Sequence, residues 1–379
     1  MRVSVFWAVS FALVACEGES SAQADERARE LATQLTPVVE RIVGLPFKTP
    51  PVIAVRTRQQ VGEYLAAKLD DDLPAQELAG MSVAYRLFRL LPDTLDLRAL
   101  MLSLYTEQVV GYYDPDSAAL YVVAESDPAI LRLTMAHELV HALQGQYVPL
   151  NELIERTGAN DEKMAAQAVL EGQATLVAFR ALLSEQEFAR LEGFSTTYRR
   201  ALQQQFASMP VFGSAPRVIR EGLVFPYLEG ADFIRWFSEA YPDTVPFGPR
   251  LPRSTEQILH PDRYRGQDAP VRLATDTAGA VYSDGLGEFE TRILLTELTG
   301  NESSGRAGAL DWDGDRYVVR DAPGGSALVW WSVWDHERAA AKVATLLERY
   351  WLPGVAAHRR AAVERITIDG LPGVRLVDA

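Results

Sequence analysis

The sequence predicts an α+β protein that is mainly helical and has a small sheet just before its most distinctive helix. Apolar residues recur at helical spacing through most of the stretch 25–300, two β-rich runs flank the turn "DPDS" at 114–117, and strand and helix patterns alternate after residue 301. A chain of 379 residues can bury a large core and ordinarily forms more than one unit. We therefore predict a main domain over 25–300 and a small α+β C-terminal unit over 301–379.

The first sixteen residues predict export. The stretch "MRVSVFWAVSFALVAC" has one arginine, an apolar run too short for a stable membrane span, and the chain's single cysteine, Cys16. Its last four residues resemble the bacterial lipobox, in which cleavage leaves the cysteine as a lipid-bearing N-terminus. We therefore expect residues 1–16 to be a lipoprotein signal, 17–24 to be a tether, and the lipid bilayer to be a partner through Cys16. The exported protein would lie on the periplasmic or cell-surface face of a membrane. The sequence does not distinguish the inner from the outer membrane.

Composition excludes two classes of partner or location. The formal charge is −14 and no cluster of lysine and arginine occurs, so the sequence lacks the basic patch that nucleic-acid binding requires. No run of about 20 apolar residues follows the first 20 positions, so no internal membrane span is predicted. The oligomeric state is left open.

Periodicity and turn residues place the remaining elements in order. The turn at 114–117 joins two runs, 109–113 and 119–123, that we predict to form a hairpin. Asn160 or Asp161 is the expected N-cap of a long helix. The predicted helices cover 26–45 (interrupted at Pro37), 59–69, 76–91, 96–108, 128–147, 160–184, 185–207 and 223–241. A short strand is expected near 50–57 and loops over 208–222 and 242–264.

The motif "HELVH" carries the chemistry. Helical spacing of four residues lets His137 and His141 reach one ion, with Glu138 beside them for a bound water. The alternative is an amphipathic helix that merely contains two histidines. At 100° per residue, however, the imidazoles lie opposite the apolar stripe of the helix instead of within it. The spacing therefore favours a zinc site.

A zinc site of this kind needs a third protein ligand, and Glu171 is the best candidate. It lies on the predicted helix 160–184 among small residues that allow close helix packing. Thr175, one turn later, is expected to hydrogen-bond a ligand imidazole. Glu152, Glu155 and Glu162 are the alternatives for the third ligand.

"HELVH" followed by "EGQAT" on a later helix resembles the gluzincin branch of zinc metallopeptidases. Together with "GYYDPDSAALYVV", "FPYLEGADF" and "STEQILHPDRY", it also resembles a set of uncharacterised bacterial and archaeal HExxH surface lipoproteins, over roughly residues 107–264. The resemblance implies a zincin-like fold and one zinc ion on His137, His141 and Glu171, with Glu138 as general base. It further implies that a peptide pairs with an edge strand formed by Ala119, Leu120, Tyr121 and Val122.

Stabilising an oxyanion needs a further donor, and Tyr227 and His260 are the candidates. A packed aromatic side chain and a loop-anchoring histidine are equally consistent with these positions. The functional hypothesis is a lipid-anchored, extracytoplasmic zinc metallopeptidase that acts on peptides or proteins. A non-catalytic, metal-stabilised binding or assembly lipoprotein is the alternative, and Glu138 favours the enzyme because a structural site has no use for a base. Hydrolysis of a non-peptide bond is a third possibility.

Overall fold

The structure, a computed structural model, describes residues 21–379 except 73, 109, 124–126, 151–158, 191–193, 207–208 and 324. The predicted signal, Cys16 and the first half of the predicted tether (17–20) lie outside these residues, as do Glu152 and Glu155. The fold is 58% helical and contains one three-stranded and one five-stranded sheet, which confirms the predicted α+β class. Of the helices described, none is both long and apolar enough to cross a bilayer.

The described residues form fifteen α-helices and eight strands. The helices are α1 (Ser21–Val43), α2 (Arg58–Asp72), α3 (Ala75–Leu87), α4 (Leu97–Gln108), α5 (Pro128–Gly145), α6 (Asn160–Leu182), α7 (Glu185–Arg190), α8 (Phe194–Phe206), α9 (Pro210–Ser214), α10 (Arg217–Ala240), α11 (Thr255–Leu259), α12 (Pro261–Arg265), α13 (Gly287–Thr299), α14 (Glu302–Ala309) and α15 (Glu337–Tyr350). The strands are β1 (Val52–Arg56), β2 (Gly111–Asp114), β3 (Ala119–Val123), β4 (Ala280–Asp284), β5 (Trp312–Ala322), β6 (Gly325–Trp334), β7 (Ala361–Ile368) and β8 (Leu371–Asp378).

The small sheet has the strand order β1-β3-β2. The predicted hairpin is confirmed, since β2 and β3 are antiparallel with Tyr112 opposite Tyr121. The expectation that β3 is an edge strand is wrong. Strand β1 pairs with it in parallel, so Ala119, Leu120, Tyr121 and Val122 all lie on a central strand whose two edges are occupied. These residues therefore have no free backbone edge for a peptide.

The two faces of β3 have different surroundings. Leu120 and Val122 are buried in a cluster with Met135, Leu139 and other apolar residues of α5 and α1. Tyr121 points to the opposite face, where its ring stacks on Tyr112 with centroids 5.1 Å apart and the guanidinium of Arg56 lies 3.8 Å above it. Strand β3 thus supports α5 through aliphatic side chains.

Helices α6 and α10 pack unusually closely beside α5. A Cβ atom added to Gly172 on α6 would lie 2.2 Å from the carbonyl carbon of Gly230 on α10, and one added to Gly230 would lie 2.1 Å from the carbonyl oxygen of Ala168. Small residues around Glu171 therefore do allow close helix packing, as predicted. The close partner is α10, which brings a third helix to the centre.

Several predicted boundaries are wrong because tertiary contacts override local signals. Helix α1 continues through Pro37, and α9, α10, α11 and α12 begin within the predicted loops. The N-cap of α6 is Ala159, without a side-chain hydrogen bond. Asp161 instead accepts a hydrogen bond from the backbone N–H of Thr255, at 3.1 Å. The side chain expected to cap α6 therefore connects it to α11.

The C-terminal sheet has the strand order β4-β5-β6-β8-β7 and is antiparallel throughout. The rings of Trp330 and Trp334 on β6 are fully buried. Strand β4 belongs to this sheet although it precedes the predicted boundary at residue 300. The core is continuous from α3, through Phe88, to Trp330 and Trp351.

Buried carboxyl groups connect the helices of this core to one another. Burial raises the pKa of Asp161 to about 8, against the opposing effect of its two hydrogen bonds from Thr255. Burial likewise raises the pKa of Glu290 to about 8, although Tyr85 donates a hydrogen bond to it at 2.6 Å. The cluster is therefore largely protonated at neutral pH, which limits the cost of burying it.

The close contact between α6 and α10 can be tested with two glycines on α10. We expect Gly230→Ala to lower the free energy of unfolding by about 1–3 kcal/mol, because the new methyl group must displace the backbone of α6. Gly222→Ala is the control, since its new methyl group meets only Met164 Cε at 3.8 Å and should stabilise the helix by up to about 1 kcal/mol. Denaturant unfolding of the two variants would contradict the packing if their stabilities changed equally.

Candidate metal centre

Two helices bring three potential ligands together. His137 and His141 lie one turn apart on α5, and Glu171 lies on α6 directly across from them. His137 Nε2 is 3.0 Å from Glu171 Oε2 and 3.1 Å from His141 Nε2, and His141 Nε2 is 3.3 Å from the same carboxylate oxygen. The three atoms therefore form a nearly equilateral triangle, and this group could hold a metal ion.

The donors and distances fit a divalent metal. Two imidazole nitrogens and one carboxylate oxygen are typical of catalytic zinc, and tetrahedral ligands bound at about 2.0–2.1 Å lie about 3.3 Å apart. The observed edges of 3.0–3.3 Å are close to that separation without any movement of the helices. Three protein ligands would leave a fourth position for solvent or substrate.

The centre is almost completely buried, so its charges act strongly on one another. His141 is 0% and Glu171 4% exposed. Burial alone would raise the pKa of Glu171, but the charges and hydrogen bonds of the two imidazoles outweigh it and lower the pKa to about 2. Burial lowers the pKa of His137, whereas the charge of Glu171 raises that of His141 above its ordinary value despite burial. The carboxylate therefore stays ionised and attracts positive charge to the space between the ligands.

Gln144 orients the second imidazole, a role that our sequence analysis missed. Its Oε1 atom is 2.8 Å from His141 Nδ1, while its Nε2 atom donates to Leu170 O at 3.1 Å and to Gln173 Oε1 at 2.8 Å. Because both amide protons are donated, Oε1 must accept from Nδ1–H. That bond fixes the tautomer with a free lone pair on Nε2, the atom that faces the other ligands. Its position three residues after His141 on the same helix was the available signal.

Glu138 lies beside the ligands with one oxygen unused. Its Oε2 atom accepts a hydrogen bond from the backbone N–H of Tyr113 at 2.8 Å, which fixes the side chain against β2. Its Oε1 atom is buried and has no hydrogen-bond partner among the described residues. Burial raises the pKa of Glu138 to about 8, with Glu171 adding to the shift and His141 opposing it. The side chain is thus positioned to accept a proton at Oε1.

Tyr227 on α10 also reaches the centre. Its ring stacks on His137, with centroids 5.9 Å apart and an interplanar angle of 24°. Its hydroxyl is buried and makes no hydrogen bond of ordinary geometry within the described part of the chain. Burial, followed by the charges of Glu171 and Glu138, raises the pKa of Tyr227 well above its ordinary value. The hydroxyl is therefore a protonated donor that lies near the Glu171 carboxylate without a hydrogen bond of ordinary geometry to it.

The structure does not place three other predicted residues at the ligands. Thr175 Oγ1 is buried but bonds neither imidazole, and Gln144 takes the role predicted for it. His260 Nε2 forms a hydrogen bond with Glu288 Oε1 at 2.9 Å. The charge of Glu288 acts on Asp161, which lies ten residues before Glu171 on α6. Ten residues of helix span about 15 Å. Glu162, the alternative ligand, lies in the first turn of α6 and pairs with Arg272.

No family model and no curated protein matches the sequence. Among solved structures, a chain from Chloroflexus aurantiacus described as "a putative hydrolase with a novel fold" is similar to this one, with a TM-score of 0.40 and 17% sequence identity. The similarity covers 66% of this chain and 91% of that chain. A likeness this distant says nothing about the reaction, so the chemistry of the site rests on its own geometry.

Removing the Gln144 amide should weaken metal binding without removing a ligand. We expect Gln144→Ala to lower zinc affinity by about 10–100-fold, because His141 loses the bond that fixes its tautomer and ring orientation. Gln146→Ala is the control, since Gln146 lies two residues later and contacts Lys48 and Thr49 on the exposed loop. Competition with a chromogenic chelator measures both affinities. Equal values for the two variants would contradict the role of Gln144.

Proposed function

We propose that this protein is a zinc-dependent hydrolase that cleaves peptide bonds, as its resemblance to gluzincins implies. The observation that carries the proposal is the position of Glu138. A buried carboxylate beside three metal-ligating side chains, with one oxygen fixed by a backbone N–H and the other unpaired, suits a general base. A purely structural metal site would leave a buried, unpaired oxygen of this kind unexplained.

His137, His141 and Glu171 would hold the ion. Bound zinc supplies a water of lowered pKa and polarises the substrate carbonyl. Glu138 Oε1 would take the proton released from that water, while the Tyr113 N–H keeps the other carboxylate oxygen in place. Without an ion, burial raises the pKa of Glu138 to about 8, so the group is largely protonated at neutral pH. The positive charge of a bound divalent ion would lower that pKa and leave the carboxylate ionised, so that it can take the proton and later return it to the leaving amine.

Tyr227 would supply the donor for the developing oxyanion. Its hydroxyl is protonated, buried and without a hydrogen bond of ordinary geometry among the described residues, so it can donate to a negative oxygen formed beside His137. A preorganised donor of this kind stabilises the transition state more than the ground state, because the charge is greatest there. The position of His260 beside Glu288 gives no support for an equivalent role.

The cellular setting is proposed on the sequence. The apolar N-terminal run and the lipobox-like end at Cys16 support an exported, lipid-anchored protein whose active site faces the periplasm or the cell surface. Its substrates would then be extracytoplasmic peptides or proteins. The absence of basic clusters in the sequence agrees with a partner other than nucleic acid.

The general-base proposal predicts the behaviour of Glu138→Gln. We expect this variant to keep its zinc and its fold but to lose peptide hydrolysis by about 10²–10⁴-fold, because the amide cannot accept the proton. Zinc content by atomic absorption and cleavage of a quenched-fluorescent peptide library measure the two properties. Glu348→Gln, on the exposed face of α15, is the matched control and should behave like the parent.

Two results would decide against the proposal. Undiminished cleavage by Glu138→Gln would show that Glu138 is not the general base. A parent protein that binds zinc stoichiometrically but cleaves no member of the library would instead favour the non-catalytic lipoprotein. Glu171→Ala serves as the metal-free reference, since loss of this ligand should release the ion while Glu138 remains in place.

Tyr227→Phe tests the oxyanion donor separately. The variant keeps the ring that stacks on His137, so we expect unchanged zinc content and KM. The loss of the hydroxyl should lower kcat by about 10²–10³-fold. Steady-state kinetics on a single cleaved peptide measure kcat and KM separately and so check both expectations. A kcat equal to that of the parent would show that the hydroxyl makes no contact with the transition state.

A further inference from the structure

A second cavity lies between α8, α9, α10, α13 and α14, and none of the metal-ligating residues lines it. Its volume is about 730 Å³, which is within the range of small-molecule sites. It shares α10 with the metal centre, but neither Tyr227 nor Glu138 lines it. The two sites are therefore distinct.

The cavity concentrates positive charge in an acidic protein. Five arginines and three glutamates line it, although the whole chain has a formal charge of −14. Arg199 and Arg217 form ion pairs with all three glutamates. Arg199 pairs with Glu229 at 2.7 Å, and Arg217 pairs with Glu221 at 2.9 Å and Glu302 at 3.2 Å. These three ion pairs leave the other three arginines that line the cavity without a close carboxylate among the described residues.

Those remaining side chains are Arg220, Arg292 and Arg306. Within the described part of the chain, none of them has a carboxylate oxygen within ion-pair distance, and Arg220 Nε is buried without a hydrogen-bond partner. Burial, followed by the charge of Arg306, lowers the pKa of Arg292, and the attraction of Glu229 and Glu221 compensates only in part. Arg220 and Arg292 are half-buried and Arg306 is exposed. Half-buried guanidinium groups beside another positive charge are stabilised when an anion lies between them.

The rest of the wall is apolar. The rings of Phe225 and Phe289 lie 4.2 Å apart between centroids and form one side. The other apolar residues that line the cavity are Leu202, Phe212, Val224 and Leu228. An inorganic anion would leave this surface uncovered, whereas a ligand with a hydrocarbon part would bury it.

We propose that this cavity binds a small organic anion, with its carboxylate or phosphate group on Arg220, Arg292 and Arg306 and its apolar part against the phenylalanines. Planar guanidinium groups donate paired hydrogen bonds to either kind of oxyanion, so both headgroups share one recognition chemistry. The site does not depend on the proposed hydrolase activity and would exist in a non-catalytic protein.

Calorimetric titration of the purified protein in detergent-free buffer tests this site. The probes are octanoate and octyl phosphate, with octyltrimethylammonium as the cationic analogue and inorganic phosphate as the headgroup alone. We expect saturable binding of at least one octyl anion. Arg292→Gln and Arg306→Gln should each weaken that binding by at least about tenfold, because each removes a charge-assisted hydrogen bond. Arg338→Gln, an equal charge change on exposed α15, should leave the affinity unchanged.

Arg306 is exposed, so its glutamine variant should fold normally even if Arg292→Gln does not. Several outcomes would overturn the proposal: no binding of either octyl anion, equal binding of octyltrimethylammonium, or unchanged affinity in Arg306→Gln. Inorganic phosphate that binds as tightly as octyl phosphate would also overturn it, because the apolar wall would then contribute nothing. Binding of only one of the two octyl anions supports the proposal and identifies the headgroup.

Discussion

The burial of four ionisable side chains between α5, α6 and β2 is the constraint on which the centre depends. His137, Glu138, His141 and Glu171 are each at most 6% exposed, and uncompensated charges at such positions would be costly. The compensation is mutual: Glu171 stays ionised because the imidazoles surround it, and the pKa of Glu138 rises because burial and Glu171 disfavour a second negative charge. A divalent cation at the ligand triangle would complete the charge balance, which is why the centre suits a metal.

Helix packing determines which groups reach this centre. Gly230 lets α10 touch the backbone of α6 at Ala168 and Gly172, next to the ligand Glu171. Tyr227 lies about one turn earlier on α10, where its ring stacks on His137. A larger residue at the contact would move the hydroxyl away from the ligands. The backbone contact therefore decides the position of the proposed oxyanion donor.

Helix α10 also separates two chemically different environments. One part borders a buried centre of compensated charges, and another borders a cavity of about 730 Å³ in which three arginines have no close carboxylate among the described residues. The C-terminal sheet and the helices share one core, and buried carboxyl groups such as Asp161 and Glu290 connect helices within it. The proposed metal site and the proposed anion site can therefore both lie against α10, because the charges of each site are compensated separately.

The sequence alone predicted the α+β class, the hairpin and the group of His137, His141 and Glu171 that could hold a metal ion. Helical spacing fixes the geometry between His137 and His141 whatever surrounds them. The approach of Glu171 required a second helix of the right composition, and the structure confirms it. What only the tertiary structure decided were relations between elements distant in the chain. These are the pairing of β1 with β3 that makes β3 central, the placement of His260 with Glu288, and the choice of Gln144 over Thr175 to orient an imidazole. Local periodicity records which face of an element is apolar, but which neighbour covers that face depends on contacts between segments far apart in sequence.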